Sequence, residues 1–151
     1  MRFRSYMNQA MEEARAAAAR GETPVGAVIV DPATSQVLAR AGNRTRALHD
    51  PTAHAEVLAL REACAARGSE RLPGLDIYVT LEPCAMCAAA LVAARIGRIY
   101  YAAADPKSGG IEQGACVFDH PQTHHKPGVY GGLGEREAAD LLRAFFASKR
   151  A

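Results

Sequence analysis

Cys84 and Cys87 stand three residues apart, and thirty residues before Cys84 stands His54, with Glu56 two places after it. Each group follows a loop-like stretch and opens a segment with helical spacing. Zinc readily accepts one imidazole and two thiolates. For one ion to take all three, the chain must bring the starts of two helices together. That demand constrains the fold more than any feature of composition.

The segments around these residues alternate in type. Residues 5–20 carry Met7, Met11, Ala14 and Ala18 at helical spacing, with Ser5 placed to cap the start and Gly21 the end. Residues 25–30 form a short apolar run suited to a buried strand, and 36–41 return as its hairpin partner after Asp31-Pro32. The stretch from Gly42 to Thr52 reads as a loop. A helix is predicted from about His54 to Arg67, stopping at Gly68. Residues 76–81 alternate like a strand. Pro83 opens a further helix, on which Cys84, Cys87, Leu91 and Ala94 share a face, and Gly97 ends it. Residues 98–103 give a fourth strand, and a helix closes the chain from about Glu135 to Lys149. Strands alternating with helices predict one three-layer α/β domain over residues 1–151.

Length and composition bound the function classes. A chain of 151 residues, 49% hydrophobic and 23% charged, is the size of one ordinary domain and can bury a core. No apolar run approaches the roughly 20 residues that span a bilayer. Met1-Arg-Phe-Arg leads into an amphipathic segment and not a signal-peptide core. A cytoplasmic protein without a membrane partner is expected. The formal charge of +2 neither requires nor forbids a nucleic-acid partner. In a cytosolic chain, Cys84-x-x-Cys87 means metal or redox chemistry, and no disulfide framework is expected.

The chemistry follows from the ligand count. A helix N-terminus favours the thiolate forms of Cys84 and Cys87. Three protein ligands leave one tetrahedral position open to water, whose pKa falls toward neutrality. A structural site would fill all four positions from the protein. Glu56 is read as a proton carrier and not a ligand: a carboxylate beside that water can take its proton, pass it to a substrate nitrogen, and then protonate a departing amine. Alone, Cys-x-x-Cys would suit a structural metal or a redox pair. Neither reading explains His54 and Glu56.

His-x-Glu followed by Pro-Cys-x-x-Cys is the signature of the zinc-dependent base deaminases. The longer runs Asp50-Pro51-Thr52-Ala53-His54-Ala55-Glu56 and Tyr78-Val79-Thr80-Leu81-Glu82-Pro83-Cys84-Ala85-Met86-Cys87-Ala88 are more specific. With Pro24-Val25-Gly26-Ala27-Val28, Gly42-Asn43-Arg44 and Asp105-Pro106-Lys107-Ser108-Gly109-Gly110, the chain resembles the bacterial tRNA-specific adenosine deaminase family from about Met7 to Arg150. The resemblance implies a cytidine deaminase-like α/β/α sandwich with a five-stranded mixed sheet, Val129-Tyr130 supplying a short fifth strand. It implies one Zn²⁺ per subunit and a homodimer whose second subunit helps to shape the RNA site. The implied reaction is hydrolytic conversion of adenosine to inosine at the wobble position of a tRNA anticodon, usually that of an arginine tRNA. Zinc-activated hydroxide would attack C6, with Glu56 as proton shuttle.

The resemblance also assigns contacts. Asn43 matches the residue that hydrogen-bonds the flipped base, and Asp105 the residue that contacts a neighbouring ribose 2′-OH. Both are also common turn formers. Lys107, Arg44, Arg46, Lys149 and Arg150 suit phosphate contacts or plain solvation. Of Phe145 and Phe146, one is expected in the core and the other, taken as Phe146, on a loop base. Cys64 is read as core, and His124-His125 as a solvated loop in preference to a second metal site. Two alternatives stay open. One is a deaminase of free guanine, cytosine or a nucleoside on the same scaffold. The other is a zinc-stabilised RNA-binding module without catalysis.

Overall fold

Each interior strand is apolar on both faces, so it needs a helical layer on either side. The computed structural model describes residues 3–150, without the side chain of Arg150. Met1, Arg2, Ala151 and the expected phosphate contact of Arg150 lie outside the described residues. The strands span Gly26–Asp31 (β1), Gln36–Gly42 (β2), Asp76–Leu81 (β3), Arg98–Ala103 (β4) and Gly128–Gly131 (β5), in the sheet order β2-β1-β3-β4-β5. β1 pairs antiparallel with both β2 and β3, while β3, β4 and β5 run parallel. The sheet is therefore mixed and five-stranded, as the resemblance implies.

The helices span Met7–Ala19 (α1), Ala55–Arg67 (α2), Ala85–Ala93 (α3) and Glu135–Arg150 (α4). Alternation along the strands sorts them into layers. Ala27, Ile29, Ile77, Val79 and Ile99 pack with Ala55, Ala59 and Ala63 of α2 and Ala88 and Leu91 of α3. Val28, Val30, Tyr78 and Tyr100 face the other way, onto Met7, Ala10 and Met11 of α1 and Ala138 of α4. Burying side chains of this size contributes about 1.5–3 kcal/mol each for the larger aliphatic ones. α1 crosses β1 closely: a Cβ on Gly26 would lie 2.0 Å from the Ala10 carbonyl oxygen, so no larger residue fits there.

Most element ends fall where the sequence places them. Gly68 takes a left-handed φ of 65°, and the Ser69 N–H reaches back to the Cys64 carbonyl, closing α2. The Ser5 hydroxyl accepts the Met7 N–H at 3.2 Å and so supports the start of α1. Three expectations are corrected. Pro83 and Cys84 precede α3: Cys84 is its N-cap, with extended backbone. That helix stops at Ala94, before Gly97, because Arg95 takes φ 60° and the Ile96 N–H returns to the Leu91 carbonyl. Neither Phe145 nor Phe146 joins the core; α4 docks through Ala138, Ala139 and Leu141, leaving Phe145 half-buried and Phe146 46% exposed.

Candidate metal centre and its pocket

Both ligand groups sit at helix starts because the chain turns there. After β3 the extended backbone runs through Glu82 and Pro83 to Cys84, which caps α3. After β2 the loop from Asn43 to Ala53 leads to His54, which caps α2 in the same extended conformation. The α2 and α3 N-termini lie side by side on one face of the sheet, and their first turns face each other.

His54 Nδ1 lies 3.7 Å from Cys84 Sγ and 3.5 Å from Cys87 Sγ. Tetrahedral bonds of about 2.3 Å to sulfur and 2.0–2.1 Å to nitrogen place such atoms about 3.6 Å apart. The donor set and its spacing therefore fit zinc. Among the described residues this is the one cluster of three His, Cys, Asp or Glu side chains able to hold a metal ion. His124 and His125 form no second cluster; His125 Nε2 lies 2.6 Å from the Ile96 carbonyl.

The thiols are already polarised. The hydrogen bond with Cys87 draws the Cys84 thiol down to about 5 against burial, aided by the backbone N–H groups of Cys87 and Met86 and by His54. The same bond, burial and the nearby Glu56 carboxyl push Cys87 up. Glu56, in the first turn of α2, is 4% exposed. Burial, with a smaller contribution from Cys84, raises its carboxyl to about 7 against its own backbone hydrogen bond and His54.

Asn43 is held at three points. Its backbone N–H bonds the Val25 carbonyl at 3.1 Å, its carbonyl accepts from Arg20 at 3.2 Å, and its side-chain Oδ1 accepts the Ala55 N–H at 2.8 Å. An N–H donor on Oδ1 turns Nδ2 to the other side of the carboxamide. Asn43, His54, Glu56, Cys84 and Asp105 line one pocket of about 240 Å³ with Thr23, Val25, Thr45, Leu81, Glu82 and Ser108. Asp105 Oδ1 accepts the N–H groups of Lys107 and Ser108, so the turn-forming reading of this residue holds.

That pocket opens on a groove of about 710 Å³. Thr23, Leu81, Asp105 and Ser108 line both. Lys107, Arg143, Phe146 and Lys149 stand along the groove. Arg44 and Arg46 are exposed on the loop beyond Asn43, and Cys64 is half-buried against the main core. The sequence reading missed Thr23, Thr45 and Ser108, which carry no signal outside the fold. It also passed over Glu22 and Glu82, charged residues that the fold buries.

The profile of the cytidine and deoxycytidylate deaminase zinc-binding region matches residues 2–103. The chain belongs to that deaminase family. It is 57% identical over 145 residues to a tRNA-specific adenosine deaminase of Agrobacterium fabrum, covering 96% of this chain and 94% of that one. The Bacillus subtilis tRNA-specific adenosine deaminase is 40% identical, over 96% of this chain and 89% of its own length. A structure solved in work on A-to-I editing by tRNA:A34 deaminases superposes with a TM-score of 0.88 at 56% identity, over 91% of this chain and 98% of that one. A guanine deaminase structure from Bacillus subtilis superposes with a TM-score of 0.66 at 29% identity, over 100% and 96%. Among the described residues of this deaminase, no helix is long and apolar enough to cross a membrane.

Proposed function

We propose that this deaminase converts adenosine to inosine at the wobble position of a tRNA anticodon, with an arginine tRNA as substrate on the strength of the resemblance. The observation that carries the reading is the groove. A free base needs the pocket alone. A base flipped out of a loop brings phosphates, which suit Lys107, Arg143 and Lys149, and neighbouring bases, which stack on aromatic rings such as Phe146. The near relatives bearing the tRNA-specific name support the same choice.

His54, Cys84 and Cys87 are assigned as zinc ligands. A zinc ion with one open position supplies water acidified to near neutrality. Glu56 is the buried carboxyl in the same pocket and is assigned the proton transfers, first to N1 of the adenine and then to the departing amine. Water and adenosine go in, and inosine and ammonia come out. Asn43 Nδ2 is assigned as donor to the base, because Oδ1 is occupied. Asp105 Oδ2 is assigned to a ribose 2′-OH, because Oδ1 is spent on the turn. The apolar walls from Val25 and Leu81 exclude bulk water from the base.

A homodimer is part of the proposal. The outer face of α3 presents Ala85, Met86, Ala89 and Ala93 without one charge. Beside it lies a hollow of about 470 Å³, apolar on the side of Ala89, Val92, Ala93 and Val117 and rimmed by Arg95, His120 and His124. An uncharged helix face of this kind suits a second copy of the chain. We further place the protein in the cytoplasm, as one deaminase domain over 1–151.

The rival reading, deamination of a free base, draws on the fold shared with guanine deaminase. One assay separates them. An anticodon stem-loop RNA and free guanine, cytosine and adenosine are incubated with the enzyme, and the products are resolved by mass spectrometry. Inosine in the RNA, with the free compounds unchanged, is the expected result. Turnover of guanine with intact RNA would replace this proposal by its rival.

A further inference from the structure

Glu82 and Glu22 are each 2% exposed, and neither is in an ion pair among the described residues. Burying a carboxylate costs several kcal/mol unless it is well hydrogen-bonded. Both are satisfied in the same way, by backbone N–H groups of the two loops that wall the pocket. We infer that Glu82 and Glu22 are positioning residues: each ties one substrate-facing loop to the scaffold, and together they set the width of the pocket mouth.

Glu82 is the stronger case. Its Oε1 accepts the Asp105 N–H at 3.0 Å. Its Oε2 accepts the N–H groups of Ile111, Glu112 and Gln113 at 3.2, 2.8 and 3.0 Å. Four donors converge on one side chain from a segment without helix or strand between Asp105 and Gln113. A carboxylate can accept at both ends, whereas a carboxamide can accept at one. Glu82 thus lines the pocket with both oxygens engaged by the loop.

The loop wraps Glu82 closely. A Cβ on Gly109 would lie 2.7 Å from Glu82 Cδ and 2.6 Å from the Asp105 carbonyl oxygen. The Gly110 N–H bonds the Pro83 carbonyl at 2.8 Å, and Gly109 bridges to Cys84. Glu82 thus joins the segment carrying Asp105 and Lys107 to the turn that carries a metal ligand. On the opposite wall, Glu22 Oε1 accepts the Arg46 N–H at 3.1 Å and Oε2 the Ala47 N–H at 2.9 Å. Those two residues lie just beyond Asn43, and the neighbouring Thr23 lines both pocket and groove.

Glu82→Gln tests this. Three N–H groups will claim the single amide oxygen, leaving the Nε2 amide against the Asp105 N–H, donor to donor. The inference rests on the tRNA reading only for its kinetic arm, so a second readout is hydrogen exchange of the zinc-loaded protein. The Asp105 amide is expected to exchange about tenfold faster or more, the cost of losing one charge-assisted bond. Zinc content stays at one per chain. On the stem-loop RNA, KM rises about tenfold while kcat stays within about twofold, since only binding geometry changes. Glu22→Gln is expected to free the Arg46 or Ala47 amide and to raise KM in the same way. Unchanged exchange at these amides, loss of zinc, or a fall in kcat at constant KM would overturn the inference. A wild-type enzyme inactive on RNA would sink the functional reading and leave the exchange result to decide this one. Should Glu82→Gln fail to fold, Gly109→Ala presses on the same carboxylate from the loop side and carries both readouts.

Discussion

Asn43 Oδ1 holds the backbone N–H of Ala55 at 2.8 Å, so the residue assigned to the base also fixes the first turn of the helix that carries His54 and Glu56. Pocket wall and proton carrier are parts of one hydrogen-bonded unit.

The two halves of that carboxamide can be separated. Asn43→Asp keeps the acceptor for Ala55, at a helix start that favours an anion, and removes the donor. Thermal stability is expected to stay within a few degrees, while turnover of the RNA falls about 10–100-fold, the range for a lost hydrogen bond to a buried group. Asn43→Ala should lose both, with about 1–3 kcal/mol of stability. Melting curves beside single-turnover rates check this.

Zinc removal should abolish activity reversibly. Metal capture needs both thiolates, and Cys87 is held above its ordinary value, so zinc uptake releases a proton and affinity falls as pH falls. Titration calorimetry in buffers of different protonation enthalpy reads the proton release. Cys87→Ser is expected to lower zinc content well below one per chain and to lower the melting temperature.

Acid should loosen the Asn43 loop. Burial pushes the Glu22 carboxyl up, but the Ala47 and Arg46 N–H groups with Arg20 and Arg46 outweigh it, and the carboxyl stays below its usual value. A depressed carboxyl contributes stability that is present above the unfolded value of about 4.3 and is lost as pH falls through the folded one. Amide exchange at Arg46 and Ala47, corrected for intrinsic rates, should therefore accelerate as pH falls below the unfolded carboxyl value, and Glu22→Gln should weaken that dependence, leaving the part due to Asp50 in the same loop.

The dimer has a direct test. Ala89→Arg places a charge in the uncharged α3 face and leaves the core-facing Ala88 and Leu91 alone. Sedimentation velocity should show a dimer for the wild type and a monomer for the variant. An identical profile for both would show that this face is not the interface.

The strands were legible because β1, β3 and β4 are short apolar runs, and α2 because Gly68 stops it where a left-handed residue is needed. The metal cluster was legible because its ligands are adjacent in sequence to helix starts. The end of α3 was not, since Arg95 adopts a backbone that glycine usually takes, and Gly97 drew the boundary instead. The exposure of Phe146 was expected, but the core place expected for its neighbour was not found: α4 docks through the smaller Ala138, Ala139 and Leu141 and leaves Phe145 half-buried outside the core. Glu82 stands between the apolar end of β3 and Pro83, a place where a charge is unusual, and that is the signal that could have marked it. Its partners lie 23 to 31 residues away and exist only in the fold.

Glu56 is assigned the proton transfers in a zinc pocket that suits an adenine in RNA. The most direct measurement is inosine formed in an anticodon stem-loop by wild type and by Glu56→Ala, with zinc content and RNA affinity measured on the same samples. Inosine is expected from the wild type only, with zinc at one per chain and RNA binding retained in the variant. Inosine formed by Glu56→Ala at the wild-type rate would rule out Glu56 as the proton carrier.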